Sequence, residues 1–326
     1  MDFLTDPFLV DPSQFEGPVL VTGAGGCIGA WAVTILQRSG VPVVASDLGD
    51  DWRRPSLLLG QEGAAALTWE KLDVTDPGNL SDVVERHGVR SIIHLAGLQV
   101  PFCKANPPLG ARVNVEGTIN ILEVARAQGL KRLAYASSTA AHGMPPGGPV
   151  MSTLYGAYKL ANEYTANVYF QDWGVPSVGI RPNVVYGLAR DQGMTASFTI
   201  GMAEAMQGRA HDIPYTGPLS WLYAGEAAAA FIAVLKRDGD TAVVFDLNGD
   251  TETVENATEM LRAFLPDHQV TSSGGPLPVP PDLSDDPIRA HVGDYPSVSI
   301  RDGIAATYRA FEALKAAGRL GDIGVT

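Results

Sequence analysis

Leu20-Val21-Thr22-Gly23-Ala24-Gly25-Gly26-Cys27-Ile28-Gly29 decides how the chain folds. The apolar run Val19 to Val21 reads as a buried strand, and Ile28 to Gln37 reads as a helix. Between them Gly23, Gly26 and Gly29 recur every third residue. Strand, glycine turn, helix is the order a dinucleotide site needs. Gly23 permits the tight turn, Gly26 lets the backbone approach a pyrophosphate, and Gly29 lets the helix pack close to the strand. The free N–H groups and partial positive charge of the helix N-terminus then face the phosphates. A glycine turn also serves purely structural ends, so the reading needs a second signal.

That signal comes from the next strand. Val43-Val44-Ala45-Ser46-Asp47 ends in an acid 18 residues after Gly29. The spacing suits a carboxylate on the adenosine ribose hydroxyls, although an ordinary strand-end aspartate looks the same. Leu48, not a cation, follows Asp47, which favours NAD over NADP; Arg53 and Arg54 weigh the other way.

The pattern then alternates. Strands are predicted over 18–22, 42–46, 67–72, 91–95, 132–136 and 176–181, with helices over 27–39, 79–87, 106–128 and 155–173. Such alternation implies an α/β fold of the Rossmann type, a doubly wound parallel sheet with ligands at the carboxyl ends of its strands. Residues 1–17 read as an irregular extension and 18–187 as the dinucleotide-binding domain. Residues 188–326 read mainly as a smaller substrate-binding part, from which strand 242–247 returns to the main sheet. Helices are also expected over 194–208, 222–236 and 299–317, and a long loop over 271–287.

Composition narrows the function. A hydrophobic content of 45% and a charged content of 18% suit a globular protein, and a net charge of −13 argues against a nucleic-acid partner. Two cysteines, Cys27 and Cys103, make a disulfide framework unexpected and suit a reducing, cytoplasmic setting. Met1 to Pro18 carries four acids and no Lys or Arg, unlike a signal or transit peptide. No apolar run reaches membrane-spanning length, and no metal site is expected.

Tyr155-Gly156-Ala157-Tyr158-Lys159 places Tyr155 and Lys159 one helical turn apart. A nearby ammonium and a positive nicotinamide ring would both lower a tyrosine pKa from about 10, giving an acid or base usable near neutrality. Tyr158 points elsewhere on the same helix. Ser137 and Ser138 follow the strand 132–136, where hydroxyls serve either a substrate oxygen or a helix cap. Alone each pattern is common; the order glycine turn, acid, serine pair, Tyr-x-x-x-Lys converges on one cleft.

In that combination the chain resembles the extended short-chain dehydrogenase/reductase superfamily, its NAD-dependent epimerase/dehydratase branch. The resemblance runs from about residue 18 to 315. It rests on the glycine stretch, Asp47, Asp73-Val74, His94-Leu95-Ala96-Gly97, Asn114-Val115-Glu116-Gly117-Thr118, Ser137-Ser138, Tyr155 with Lys159, and Arg181-Pro182-Asn183-Val184-Val185-Tyr186-Gly187. It implies Tyr155 as general acid/base, Ser138 on the same substrate oxygen, and Lys159 on the nicotinamide ribose. It further implies that Gly23, Gly26, Cys27, Ile28 and Gly29 hold the pyrophosphate, Asp47 the ribose, and Asp73 and Val74 the adenine. Leu95, Ala96, Gly97, Asn114, Pro182 and Val184 would line the cofactor. A homodimer joined through the helices near 106–128 and 155–173 is implied as well.

Departures from the family bear on substrate. Thr139 and Ala140 stand where dehydratases carry an Asp-Glu pair, which disfavours water elimination. Val184 replaces a frequent Asn, no Arg occurs in Tyr215 to Leu222, and Gly225 replaces a usual Asp. The spacing from Ser138 to Tyr155 is short, with Met144 to Pro149 between them. These losses argue against a nucleotide-diphosphate handle and fit a small carbohydrate-like molecule: a sugar, sugar acid or hydroxy acid. Gln99, Ser138, Thr139, Asn183, Arg190 and Trp221 are the candidate substrate contacts. Arg190, and Arg289 as a further candidate, could pair with a carboxylate. Phe102, Cys103, Met194 and Phe198 are further candidates for the pocket wall. Dehydrogenase is the favoured reading; a sugar epimerase with tightly bound NAD, or a silent NAD sensor on the same fold, are the alternatives.

Overall fold

The computed structural model describes residues 1–143 and 150–323. The strands are β1 (Val19–Thr22), β2 (Val43–Asp47), β3 (Thr68–Lys71), β4 (Ser91–His94), β5 (Arg132–Ala136), β6 (Ser177–Pro182), β7 (Val185–Tyr186), β8 (His211–Ile213), β9 (Pro218–Tyr223), β10 (Ala242–Leu247), β11 (Asp250–Thr253) and β12 (Val270–Ser272). The first seven helices are α1 (Asp2–Thr5), α2 (Cys27–Arg38), α3 (Arg53–Ala65), α4 (Pro77–His87), α5 (Val100–Ala105), α6 (Pro107–Ala111) and α7 (Gly117–Gln128). They are followed by α8 (Leu154–Trp173), α9 (Ser197–Met206), α10 (Ala224–Val234), α11 (Val254–Met260), α12 (Asp286–Val292) and α13 (Ile300–Ala316).

Seven parallel strands form the central sheet in the order β10-β6-β5-β4-β1-β2-β3. The chain winds outward from β1 through β2 and β3, then returns to β4 on the other side. The switch point therefore lies between β1 and β4, where a crevice opens at the carboxyl ends of the strands. Val19, Leu20 and Val21 are all fully buried, because helices cover both faces of the strand. The strand expected over 242–247 is β10, paired in parallel with β6. Two small sheets, β11-β9-β7 and β12-β8, lie apart from the large one.

Local chemistry sets the boundaries. Asp76 caps α4 by accepting from the N–H groups of Gly78 and Asn79, and Gly88 ends the helix in the left-handed region. Thr153 caps α8 in the same way through Gly156 N–H. The helix expected over 106–128 is broken into α6, a π-wound turn at Arg112–Glu116, and α7.

The first residues are not an irregular extension. Short helical turns bury Leu4 and Phe8, and Phe8 packs edge-on to Trp31 and stacks on Tyr223. Gly225 makes room for it: a Cβ there would lie 2.6 Å from the Phe8 ring. Helix α3 goes beyond the sequence pattern, since Pro55, Gly60 and Gly63 read as breakers; Leu57 and Leu58 anchor it, and Gly60 interrupts it with φ +73°. Among the described residues no helix is long and apolar enough to cross a membrane.

Candidate active site

The glycine turn is held by close approach. Gly23 adopts φ +73°, and a Cβ on it would sit 2.7 Å from Ala96 N; one on Gly29 would collide with the Gly23 carbonyl. Only glycines let β1, α2 and the end of β4 meet this closely. Asp47 Oδ2 accepts from Gly25 N–H at 2.9 Å, so the carboxylate at the end of β2 braces the turn and faces the cleft. The cleft, about 340 Å³, is lined by the glycine turn, Asp47, Gly97, Gln99, Phe102 and Arg190. Its floor of backbone amides with an acid at the rim fits a dinucleotide.

The cleft has a second wall. Arg54 donates to Gly25 O at 2.7 Å and to Asp191 Oδ1 at 2.8 Å, and Arg53 pairs with Asp191 Oδ2 at 2.7 Å. Asp191 thus pins the loop after β7 to the glycine turn and occupies both cations that weighed toward a 2′-phosphate. Sequence reasoning missed this lock. Its signal was present, since an Arg pair beside a nucleotide loop needs a counter-charge when buried.

Below Ala96 and Gly97 lies His94, buried between Thr22 Oγ1 (2.8 Å from Nδ1) and Thr118 Oγ1 (3.2 Å from Nε2). Burial pushes its pKa down to about 3, so it is a neutral strut. Asn114, in the π turn, donates to Gly110 O at 3.0 Å and Leu98 O at 3.2 Å. Among the described residues its Oδ1 has no partner, and it lies against Gly97.

The two serines after β5 have separate employments. Ser137 Oγ binds Glu163, which also receives a two-pronged contact from Arg181 at 2.7 and 2.6 Å. Ser138 Oγ caps the following turn through Ala140 N–H at 3.2 Å and adjoins the Tyr155 phenol. Gly156 is what brings them together, because a Cβ there would strike the Ala140 carbonyl and hold the start of α8 away.

Lys159 is buried, its Nζ donating to Ala136 O at 2.6 Å and lying 5.6 Å from the centre of the Tyr155 ring. Burial lowers its pKa to about 8. The pKa of Tyr155 is raised, first by burial; Ser138 and then Arg190 pull it back. The depression expected from Lys159 is not seen in the protein alone: the groups that lower the phenol are Ser138 and Arg190, and burial outweighs them. Burial likewise raises the Cys27 thiol to about 11.

Several other candidates stand elsewhere. Asn183 is buried, its amide donating to Asn248 Oδ1 and Pro280 O at 2.8 Å each while its Oδ1 accepts from Val184 N–H. It has no group left for a substrate. The same bond, with Leu222 N–H on Val184 O, leaves the Val184 backbone unavailable to a cofactor. Trp221 is fully buried, its Nε1 donating to Glu252 O, so it belongs to the core with Phe198; Cys103, also buried, lies instead beside Asn114 and Leu98. Arg289 pairs with Glu226 and Asp285 and binds Tyr295 O, so it has no free fork for a carboxylate. Thr139 is buried behind Ser138, and Pro182 ends β6. Asp73 Oδ1 accepts from Thr75 N–H and Oγ1, and Val74 packs on Gly117. Met194 is exposed, and Phe102, also exposed, lines the cleft. Met144 to Pro149 lie outside the described residues. Among the described residues no cluster of His, Cys, Asp and Glu could hold a metal.

Comparison with known proteins bears on the fold and the family. The family model "NAD dependent epimerase/dehydratase family" matches residues 19–246. The UDP-glucose 4-epimerase of Mycolicibacterium smegmatis is 29% identical over 312 residues, 90% of this chain and 97% of that protein. Matches to the first curated relatives are shorter, covering 39% to 67% of their lengths. Among solved structures, a partial-consensus L-threonine 3-dehydrogenase superposes with TM-score 0.77 at 25% identity, covering 91% of this chain and 99% of that one. The Thermus thermophilus UDP-glucose 4-epimerase complex with NAD gives TM-score 0.76 at 23% identity, covering 90% and 99%. The family match spans most of the chain and the fold is that of the solved structures it superposes on, and the protein is an enzyme of the NAD-dependent epimerase/dehydratase family, of the extended short-chain dehydrogenase/reductase type.

Proposed function

We propose that the enzyme is a dehydrogenase that oxidises a secondary alcohol of a small carbohydrate-like molecule. The observation that carries this is the meeting of Tyr155, Ser138 and Lys159 at the sheet edge beside the glycine cradle. NAD, when bound, supplies the hydride acceptor. Gly23, Gly26, Cys27, Ile28 and Gly29 would cradle its diphosphate, Asp47 would hold its ribose, and Asp73 and Val74 its adenine; Leu95, Ala96 and Gly97 would line it. Tyr155 accepts the hydroxyl proton as the carbinol C–H leaves as hydride and the carbonyl forms. Ser138 hydrogen-bonds the same oxygen. Lys159 keeps a positive charge one turn away and tunes the phenol; near neutrality its ammonium is available to a ribose hydroxyl.

A small substrate is supported by what the chain lacks. The position of Gly225 is filled by Phe8, Trp221 is in the core, and Asn183 is fully employed, so these sites offer no nucleotide handle. Exposed Leu154, Tyr164 and Val168 along one side of α8 support a homodimer through α7 and α8, and two free cysteines suit a reducing cytoplasm. Sedimentation at micromolar concentration tests the dimer; a monomer overturns it.

The experiment is NADH formation by purified enzyme with NAD and a panel of sugars, sugar acids and hydroxy acids. Net NADH with one substrate class supports the dehydrogenase. The length of the match to the M. smegmatis epimerase keeps a second reading in play. No net NADH with any substrate, together with NAD retained stoichiometrically through purification, would favour epimerisation.

A further inference from the structure

The loop after β7 carries a cation with nothing to balance it. Arg53 and Arg54 share Asp191, but Arg190, the preceding residue, forms no ion pair among the described residues. Its Nη2 donates to Thr195 Oγ1 at 3.0 Å, and its Nε is buried with no hydrogen-bond partner among them. A buried guanidinium N–H without an acceptor is costly, so such a group marks a place where an acceptor arrives.

The backbone is bent to present it. Ala189 has φ +75°, the only positive φ on a non-glycine residue among those described, and Gly193 has φ +95°. Strain of this kind persists where the surroundings demand it, commonly at ligand sites. A Cβ on Gly193 would collide with Gln99 Oε1 and lie 3.3 Å from Arg190 Nη2, so the Gln99 amide and the guanidinium converge on one spot. Both line the cleft that also holds Cys27 and Gly97. Arg190 acts electrostatically on Tyr155 as well, favouring its ionised form.

We propose that Arg190, with Gln99 beside it, binds the carboxylate of the substrate, so that the enzyme acts on hydroxy acids or sugar acids rather than neutral sugars. This rests on the dehydrogenase reading for the reaction, but not for the binding. A planar guanidinium fork matches a carboxylate two N–H groups at a time. The cofactor diphosphate shares the oxyanion chemistry, and the glycine turn already supplies its backbone N–H groups.

The test measures binding to the NADH-loaded enzyme by cofactor fluorescence. The probes are galacturonate, gluconate and L-threonine, set against galactose and sorbitol. Expected are binding of at least one acid, no comparable binding of the neutral molecules, and loss of that binding by roughly 10- to 100-fold in Arg190→Met with NADH affinity unchanged. Arg190→Lys should retain part of it, which guards against a misfolded Met variant. Equal binding of galactose and galacturonate would overturn the proposal. So would Arg190→Met weakening NADH instead of the acids, which would assign the arginine to the diphosphate. Acid binding without any NADH formation from NAD would defeat the dehydrogenase reading and leave the carboxylate site standing.

Discussion

The two walls of the cleft are built by different means. On the side of β1, β2 and β4, positions are fixed by backbone contact: Gly23 against Ala96, Gly29 against the Gly23 carbonyl, Asp47 on Gly25 N–H. Side-chain identity matters there mainly by its absence. On the side of residues 189–192, positions are fixed by side-chain pairing: Asp191 holds two arginines, and Arg190 binds Thr195 with its Nε left without an acceptor among the described residues. A wall made of backbone contact depends on residue size and φ, whereas one made of side chains depends on which groups find partners.

Damage to the backbone wall should have the largest effect. Gly29→Val should abolish NADH binding measured by fluorescence and destabilise the fold, because both Gly23 and α2 would have to move. A variant that binds NADH normally would show that close approach is not what makes the cradle. Phe8→Ala tests whether the chain's start belongs to the core. Removing a buried aromatic ring against Trp31 and Tyr223 should cost about 3–5 kcal/mol in denaturant unfolding, and no loss would return those residues to the surface.

Lys159 extends the contrast between the walls to pH. Its folded pKa of about 8 lies below the usual 10.5, so the cost of its buried ammonium is present in full below pH 8. Between those values the unfolded chain binds the extra proton, and stability rises with pH by up to about 3 kcal/mol in the cofactor-free enzyme. Lys159→Met should flatten that rise in urea titrations across the window. An unchanged slope would mean that the ammonium is not desolvated. The smallest effect is expected at Asn183. Asn183→Ala should cost about 1–3 kcal/mol by orphaning its partners, with KM for the substrate unchanged. A raised KM with unchanged stability would put Asn183 back among the substrate contacts.

The legible parts of the sequence were those where geometry forces a residue type. Glycine spacing, the strand-end acid and Tyr-x-x-x-Lys pointed to one edge of the sheet, and the fold sets Asp47 on Gly25 N–H and Lys159 beside the Tyr155 ring. Ser138 was separable from Ser137 by resemblance, and the structure adds a reason: Ser137 is held by Glu163. The substrate side was less legible because each polar residue there has two possible fates, and packing decides between them. Asn183, Arg289 and Arg190 look alike in sequence; among the described residues the first two are fully employed, whereas Arg190 holds only Thr195 and leaves its Nε without an acceptor. Helix α3 and the Phe8 contact depend on distant residues, Asp322 and Tyr223 among them, which local pattern does not register.

Tyr155 is the group assigned to take the substrate proton, and Tyr155→Phe tests that assignment most directly. With the best substrate of the panel, the variant's rate of NADH formation should fall by roughly 100- to 10,000-fold while its NADH affinity stays that of the parent. A Phe variant that keeps most of its rate would contradict the assignment, because no other group adjoining Ser138 and Lys159 has been placed to accept the proton.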